Sequence, residues 1–155
     1  MNNNDRLARL RYALNIKDDQ MVEVFELGGL TITKAEVQAL LRKAKTEEGY
    51  EKSCSNEWLE RFLNGLIASQ RGPSDRELDL ELTDQNVNNL LLKKVKIALS
   101  LQSEDILEIL EDAGVSISKS ELSAVLRKEG HRNYKICGDR YARNFLKGLA
   151  LRYRS

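Results

Sequence analysis

Apolar residues return every three or four positions along this chain, in blocks. Leu7, Leu10 and Leu14 make one stripe. Met21, Val24 and Phe25 make a second, and Val37, Leu40 and Leu41 a third. Trp58, Leu59, Phe62, Leu66 and Ile67 make a fourth. This is the period of a helix that buries one face. Residues with capping chemistry precede each block: Asn3 or Asn4, Asp18, Thr33, and Ser55 or Asn56. A short polar side chain there accepts from the free amides of the first turn. Thr33-Lys34-Ala35-Glu36 has the spacing of a capping box, with Ile32 placed as a staple against Val37. Gly28-Gly29 stops the second block, because glycine takes the left-handed C-terminal position at little cost. Arg6, Arg9 and Arg11 lie largely off the first stripe.

The pattern then starts again. Leu92, Val95 and Leu99 repeat the first stripe; Ile106, Ile109 and Leu110 the second; Leu122, Val125 and Leu126 the third; Tyr141, Ala142, Phe145 and Leu149 the fourth. Thr33–Lys43 reads TKAEVQALLRK and Ser118–Lys128 reads SKSELSAVLRK, with Ser118–Glu121 as a second capping box. Residues 4–43 align with 89–128 at an offset of 85; after a two-residue shortening, Cys54–Leu66 aligns with Cys137–Leu149 at 83. The expected fold class is all-α: two tandem, similar four-helix domains packed with pseudo-twofold symmetry. The expected boundaries are 1–72 for the first repeat, 73–85 for an acidic linker and 86–155 for the second repeat. Repeats this small are marginal alone, which favours packing against each other over two beads on a string. Gly65 costs its helix about 1 kcal/mol and recurs as Gly148, which predicts a close helix crossing. Leu78, Leu80 and Leu82 alternate with acidic residues, as in a short extended segment lying on one repeat.

Composition narrows the function more than it names it. The 155 residues are 41% hydrophobic and 32% charged, which fits a folded chain rather than a disordered one. No apolar run is long enough to span a membrane, and MNNNDRLARLR lacks the apolar centre of a signal peptide, so a cytoplasmic protein is expected. Cys54 and Cys137 occupy matched places before a helix, and read as small semi-apolar plugs rather than nucleophiles. His131 is the only histidine, too little for a zinc site, and no phosphate-binding loop or dinucleotide fingerprint is present. No enzyme, metal or cofactor is expected.

Charge is the uneven feature. Residues 73–85 carry five acidic side chains and one basic, whereas 127–155 carry nine basic and two acidic. Two readings follow. One is a small interaction or regulatory module, binding a protein partner or a second copy of itself as a homodimer. The other is DNA or RNA binding. A helix-turn-helix can be drawn over residues 19–42 and again over 104–127, with the capped second helix as reader. Candidate nucleic-acid contacts are then Lys119, Ser120 and Ser123 at that helix, Arg132 and Lys135 in the following loop, and Arg140, Arg143, Lys147 and Arg154 on the last helix. The same cations also fit a plain solvated helix face. Repeat one carries Glu57, Glu60 and Asn64 where repeat two has Arg140, Arg143 and Lys147, so an anion site built on them belongs to repeat two.

Several segments taken together are similar to a family of small bacterial proteins of unassigned function, the YehS-like or domain-of-unknown-function 1456 proteins. They are Asn3-Asn4 with Leu10-Arg11-Tyr12-Ala13-Leu14, Phe62-Leu63-Asn64-Gly65-Leu66, Ser118-Lys119-Ser120-Glu121-Leu122-Ser123-Ala124, and Cys137-Gly138-Asp139 with Asn144-Phe145-Leu146-Lys147-Gly148-Leu149. The resemblance covers nearly the whole chain and implies a tandem of two such domains. It supplies no catalytic residue, ligand or partner.

Overall fold

The computed structural model of the chain describes residues 1–44, 49–72 and 80–154, and among these every regular element is a helix. The first repeat holds α1 (Asn3–Leu14), α2 (Asp18–Leu27), α3 (Lys34–Leu41) and α4 (Asn56–Arg71). The second holds α5 (Val87–Ala98), α6 (Ser103–Asp112), α7 (Lys119–Leu126) and α8 (Asp139–Tyr153). Among the described residues one isolated antiparallel bridge joins Lys43 and Tyr50.

The capping chemistry is partly as expected. Thr33 and Glu36 form the reciprocal box at α3, and Ser55 accepts from the Trp58 amide at α4. Asn2, not Asn3 or Asn4, caps α1, in a box with Asp5. Lys17 is the cap residue of α2, its amide held by Gln20, and Asp18 is already inside the helix. At α7 only half of the expected box forms: Ser118 accepts from the Glu121 amide, and Glu121 does not return the bond.

Within each repeat the second helix packs on the fourth, α2 on α4 and α6 on α8, with the third helix against the second. The first helix does something else. α1 lies mainly on α8 and α5 mainly on α4. Each repeat thus lends its first helix to the other, and the exchange is reciprocal, as a pseudo-twofold axis requires. One core results, running from Leu7, Leu10 and Phe25 through Phe62 and Leu63 to Leu92, Ile106 and Phe145, all essentially inaccessible to solvent. Each such side chain contributes about 1.5–3 kcal/mol, and because α1 and α5 pack mainly on the opposite repeat, part of this burial depends on that repeat being present.

Glycine makes the α2–α4 crossing close. A Cβ on Gly65 would lie 1.8 Å from the Val24 carbonyl oxygen, and one on Gly28 1.7 Å from that of Arg61. In repeat two a Cβ on Gly148 would lie 2.1 Å from the Ile109 oxygen. The residue matching Gly28 there is Ala113.

Two asparagines per repeat bind the frame together. Asn4 donates to the carbonyls of Leu40 (2.8 Å) and Lys52 (2.7 Å) and accepts from the Cys54 amide (3.0 Å). Asn89 repeats all three bonds, to Val125 (2.9 Å) and Lys135 (2.8 Å) and from Cys137 (2.9 Å). Each thereby ties the start of its first helix to the end of the third and the approach to the fourth. Asn3 and Asn88 reach the carbonyls of Cys54 and Cys137 in the same way. Arg6 joins the two sets: it donates to Asn88 (2.9 Å), Asn3 (3.0 Å) and Asp139 (3.1 Å). It is buried, although it lies off the apolar stripe of α1. The residue related to it by the repeat is Leu91, so this interlock is one-sided.

Candidate functional site

The two junctions between repeats are equivalent by symmetry and opposite in chemistry. At the α4–α5 junction, the Lys94 ammonium lies 2.5 Å from Asn64 Oδ1 and 3.5 Å from Glu60 Oε2. The second contact is a Coulombic pairing, since Glu60 Oε2 makes no hydrogen bond. Glu60 Oε1 accepts from the amides of Glu81 (2.7 Å) and Leu82 (2.8 Å). All three side chains are buried, and Leu82 is buried with them. The described end of the linker therefore lies on α4 of repeat one, held by its backbone. Leu80 is exposed, and Leu78 falls outside the described residues.

At the α1–α8 junction the matching residues are Arg9 for Lys94, Arg143 for Glu60 and Lys147 for Asn64. All three are exposed cations. A groove of about 460 Å³ opens there, lined by Arg9, Lys43 and Lys147, with Tyr12 and Tyr50 among its walls. Asp5 also lines it, but its carboxylate accepts from the Tyr50 hydroxyl (2.7 Å) and the Asn2 amide (3.1 Å). Burial and that bond push the Tyr50 phenol up to about 12. Burial also opposes the ionisation of Asp5, but the bond from Tyr50, with the Asn2 amide and nearby cations, outweighs it and holds Asp5 below the ordinary range. The Lys43 ammonium sits 5.4 Å from the centre of the Tyr50 ring.

The other candidate contacts are spread more widely. Lys119 is paired with Glu104 at 2.8 Å, and that bond raises the lysine and lowers the carboxyl. Ser120 and Ser123 are exposed beside it on α7. The partner helix α6 carries Glu104, Asp105, Glu108, Glu111 and Asp112. In repeat one Lys34 pairs with Asp19 (3.2 Å) and Gln38 donates to Asp18 (3.2 Å). Both helical hairpins thus place carboxylates beside the reading helix, where a duplex would bring phosphates. Arg154 stacks on Tyr12 at 4.1 Å and donates to the Tyr12 carbonyl and Asn15, tying the end of α8 to the end of α1. Arg132 is exposed in the loop before α8. Lys135 and Arg140 line a separate cleft beside Tyr141.

Cys54 and Cys137 are buried and free, and burial pushes each thiol up to about 12. His131 accepts from the Asn133 amide at 3.0 Å in its own loop. Among the described residues no cluster of His, Cys, Asp or Glu could hold a metal ion, and no helix is long and apolar enough to cross a membrane.

The architecture defines a class: an all-α protein of two interleaved four-helix repeats with one polar, filled junction and one basic, open one. The chain belongs to the family described as protein of unknown function (DUF1456), which matches it twice, over residues 3–72 and 88–155. It is similar to the uncharacterized protein YehS of Escherichia coli (strain K12), with 39% identity over 152 residues, 98% of this chain and 96% of that protein. No solved structure matches.

Proposed function

We propose that this chain is a small interaction module whose partner is a single strand of nucleic acid, bound along the α1–α8 groove. The observation that carries the reading is the contrast between the junctions. Where α5 meets α4, one cation meets one carboxylate and one amide. Where α1 meets α8, the matching residues Arg9, Arg143 and Lys147 are all exposed cations, and Arg9 and Lys147 line the groove with Lys43. Clustered cations at a junction repel one another, and a phosphate backbone relieves that repulsion while releasing its own counterions. Tyr12 and Tyr50 add aromatic walls, the second feature of sites that take unpaired bases. The acidic flanks of α3 and α7 argue against a duplex docked on the helical hairpins.

Fluorescence anisotropy with labelled single- and double-stranded DNA and RNA tests this. Single strands should bind more tightly than duplexes, and Arg9→Gln/Arg143→Gln/Lys147→Gln should weaken the binding and flatten its salt dependence. Tight binding of duplex that survives this substitution and is lost on Lys119→Gln would return the hairpin reading. Displacement by polyglutamate, with no preference for nucleic acid, would assign the groove to an acidic protein partner instead.

A further inference from the structure

Repeat two contains a cleft of about 470 Å³ between the turn after α6 and the segment leading into α8. Its apolar walls are Val115, Ile117, Val125, Ile136 and the ring of Tyr141. The volume is in the range of small-molecule sites. The repeat explains its origin. The residues matching Val115, Val125, Leu110 and Tyr141 are Leu30, Leu40, Phe25 and Trp58. Each repeat-one residue is larger. Trp58 packs edge-on against Phe25 at 6.5 Å and is covered by the Lys52 ammonium at 4.9 Å.

The polar groups of the cleft also differ from those of repeat one. Glu36 is consumed by its capping box, whereas Glu121, its counterpart, leaves the Ser118 amide and lines the cleft. Lys135 and Arg140 line it from the opposite segment; Glu57 stands at the place of Arg140 in repeat one. The Tyr141 hydroxyl is buried with no hydrogen-bond partner among the described residues. Ile136, at the mouth, is 55% exposed, unusual for a side chain of its type. A carboxylate, two cations and a branched aliphatic wall therefore line one opening.

We infer that this cleft binds a free α-amino acid with an apolar side chain, its ammonium on Glu121, its carboxylate on Arg140 and Lys135, and its side chain against Val115, Ile117 and Ile136. A molecule carrying only a carboxylate would leave Glu121 facing it with like charge. One carrying only an amine would leave both cations unpaired. The cleft lies apart from the groove lined by Arg9 and Lys147, so the two sites are separable by mutation.

The test is calorimetric titration of the full chain with leucine, isoleucine and phenylalanine, alongside glycine, N-acetyl-leucine and isoamylamine. The free apolar amino acids should bind, and the three controls should bind at least about tenfold more weakly: N-acetyl-leucine and isoamylamine each lose a charge-assisted hydrogen bond, and glycine loses the buried apolar side chain. Glu121→Gln should weaken leucine by about tenfold. Tyr141→Trp/Val115→Leu installs the residues repeat one already carries and should abolish leucine binding without changing the anisotropy titration. No heat with any amino acid at millimolar concentration overturns the proposal. So does N-acetyl-leucine binding as well as leucine, or leucine binding that Glu121→Gln and the cleft-filling pair leave unchanged. Should the pair fail to fold, Glu121→Gln, on an exposed rim residue, still decides.

Discussion

Lys94→Met is the sharpest perturbation of the interleaved core. The wild-type ammonium is buried, 2.5 Å from Asn64 Oδ1 and 3.5 Å from Glu60 Oε2. Methionine fills similar space but leaves Glu60 as a buried carboxylate supported only by the amides of Glu81 and Leu82. Orphaning one partner of a buried pair costs about 3–5 kcal/mol. The two amides still solvate one oxygen, so the lower end applies, about 3 kcal/mol. For a chain of this length that is a fall in Tm of about 6–12 °C. Glu60→Gln should cost a similar amount, because it leaves the ammonium with Asn64 alone and frees the linker amides from a charged acceptor. The double variant should recover a part: coupling of about 1–3 kcal/mol is expected for residues in direct contact. Equilibrium denaturation of the four proteins in the cycle measures this. A Lys94→Met protein within about 0.5 kcal/mol of wild type, the size of an ordinary surface change, would refute the reasoning, as would strictly additive single effects.

Other consequences are simpler to state. Gly148→Ala should destabilise by about 1–3 kcal/mol, despite alanine's better helix propensity, because its methyl would meet the Ile109 carbonyl at 2.1 Å and force α6 from α8. Denaturant titration would show it, and a stabilised variant would mean the crossing is loose. The Asp139 carboxyl is held below its ordinary 3.8 by the bond from Asn88, then by the N-terminal ammonium and Arg6. A depressed carboxyl stabilises the fold fully above its unfolded value, and that contribution is lost as pH falls through the folded value. Asp139→Asn should therefore flatten the acid limb of the stability curve below about pH 4, and an unchanged limb would contradict the assignment. Both cysteines should resist iodoacetamide in the native protein at pH 8 and react once unfolded, since each thiol is buried and pushed up to about 12. Rapid native alkylation would count against their burial.

The helices and the duplication were legible because the period and the echo at offset 85 are local facts. What the period could not say is which helix covers which. An apolar stripe on α1 records that one face is buried, and nothing in Leu7, Leu10 or Leu14 distinguishes α8 from α4 as the cover. The close crossing at Gly65 and Gly148 could be read, because a mid-helix glycine needs a reason. The caps of α1 and α2 were missed by one residue: Asn2, Asn3 and Asn4 are chemically alike, and only the fold recruits Asn3 and Asn4 for long-range bonds. Arg6 lies off the stripe and is buried all the same, because it faces the other repeat's Asn88 and Asp139. Of the two junctions, half the signal was in plain view: Glu60 and Asn64 change to Arg143 and Lys147. The other half, Lys94 against Arg9, is a like-for-like exchange and gave no warning that one is buried and the other free in solvent.

The central claim is that the open α1–α8 junction is an electrostatic binding groove. The most direct measurement is the salt dependence of single-strand binding, comparing wild type with Arg9→Gln/Arg143→Gln/Lys147→Gln. Each phosphate neutralised adds about −0.7 to the slope of log K against log salt for a single strand. The account predicts a steep wild-type slope and a triple variant shallower by about 2. Binding with the same slope in both proteins, or no binding by wild type at low salt, would contradict it.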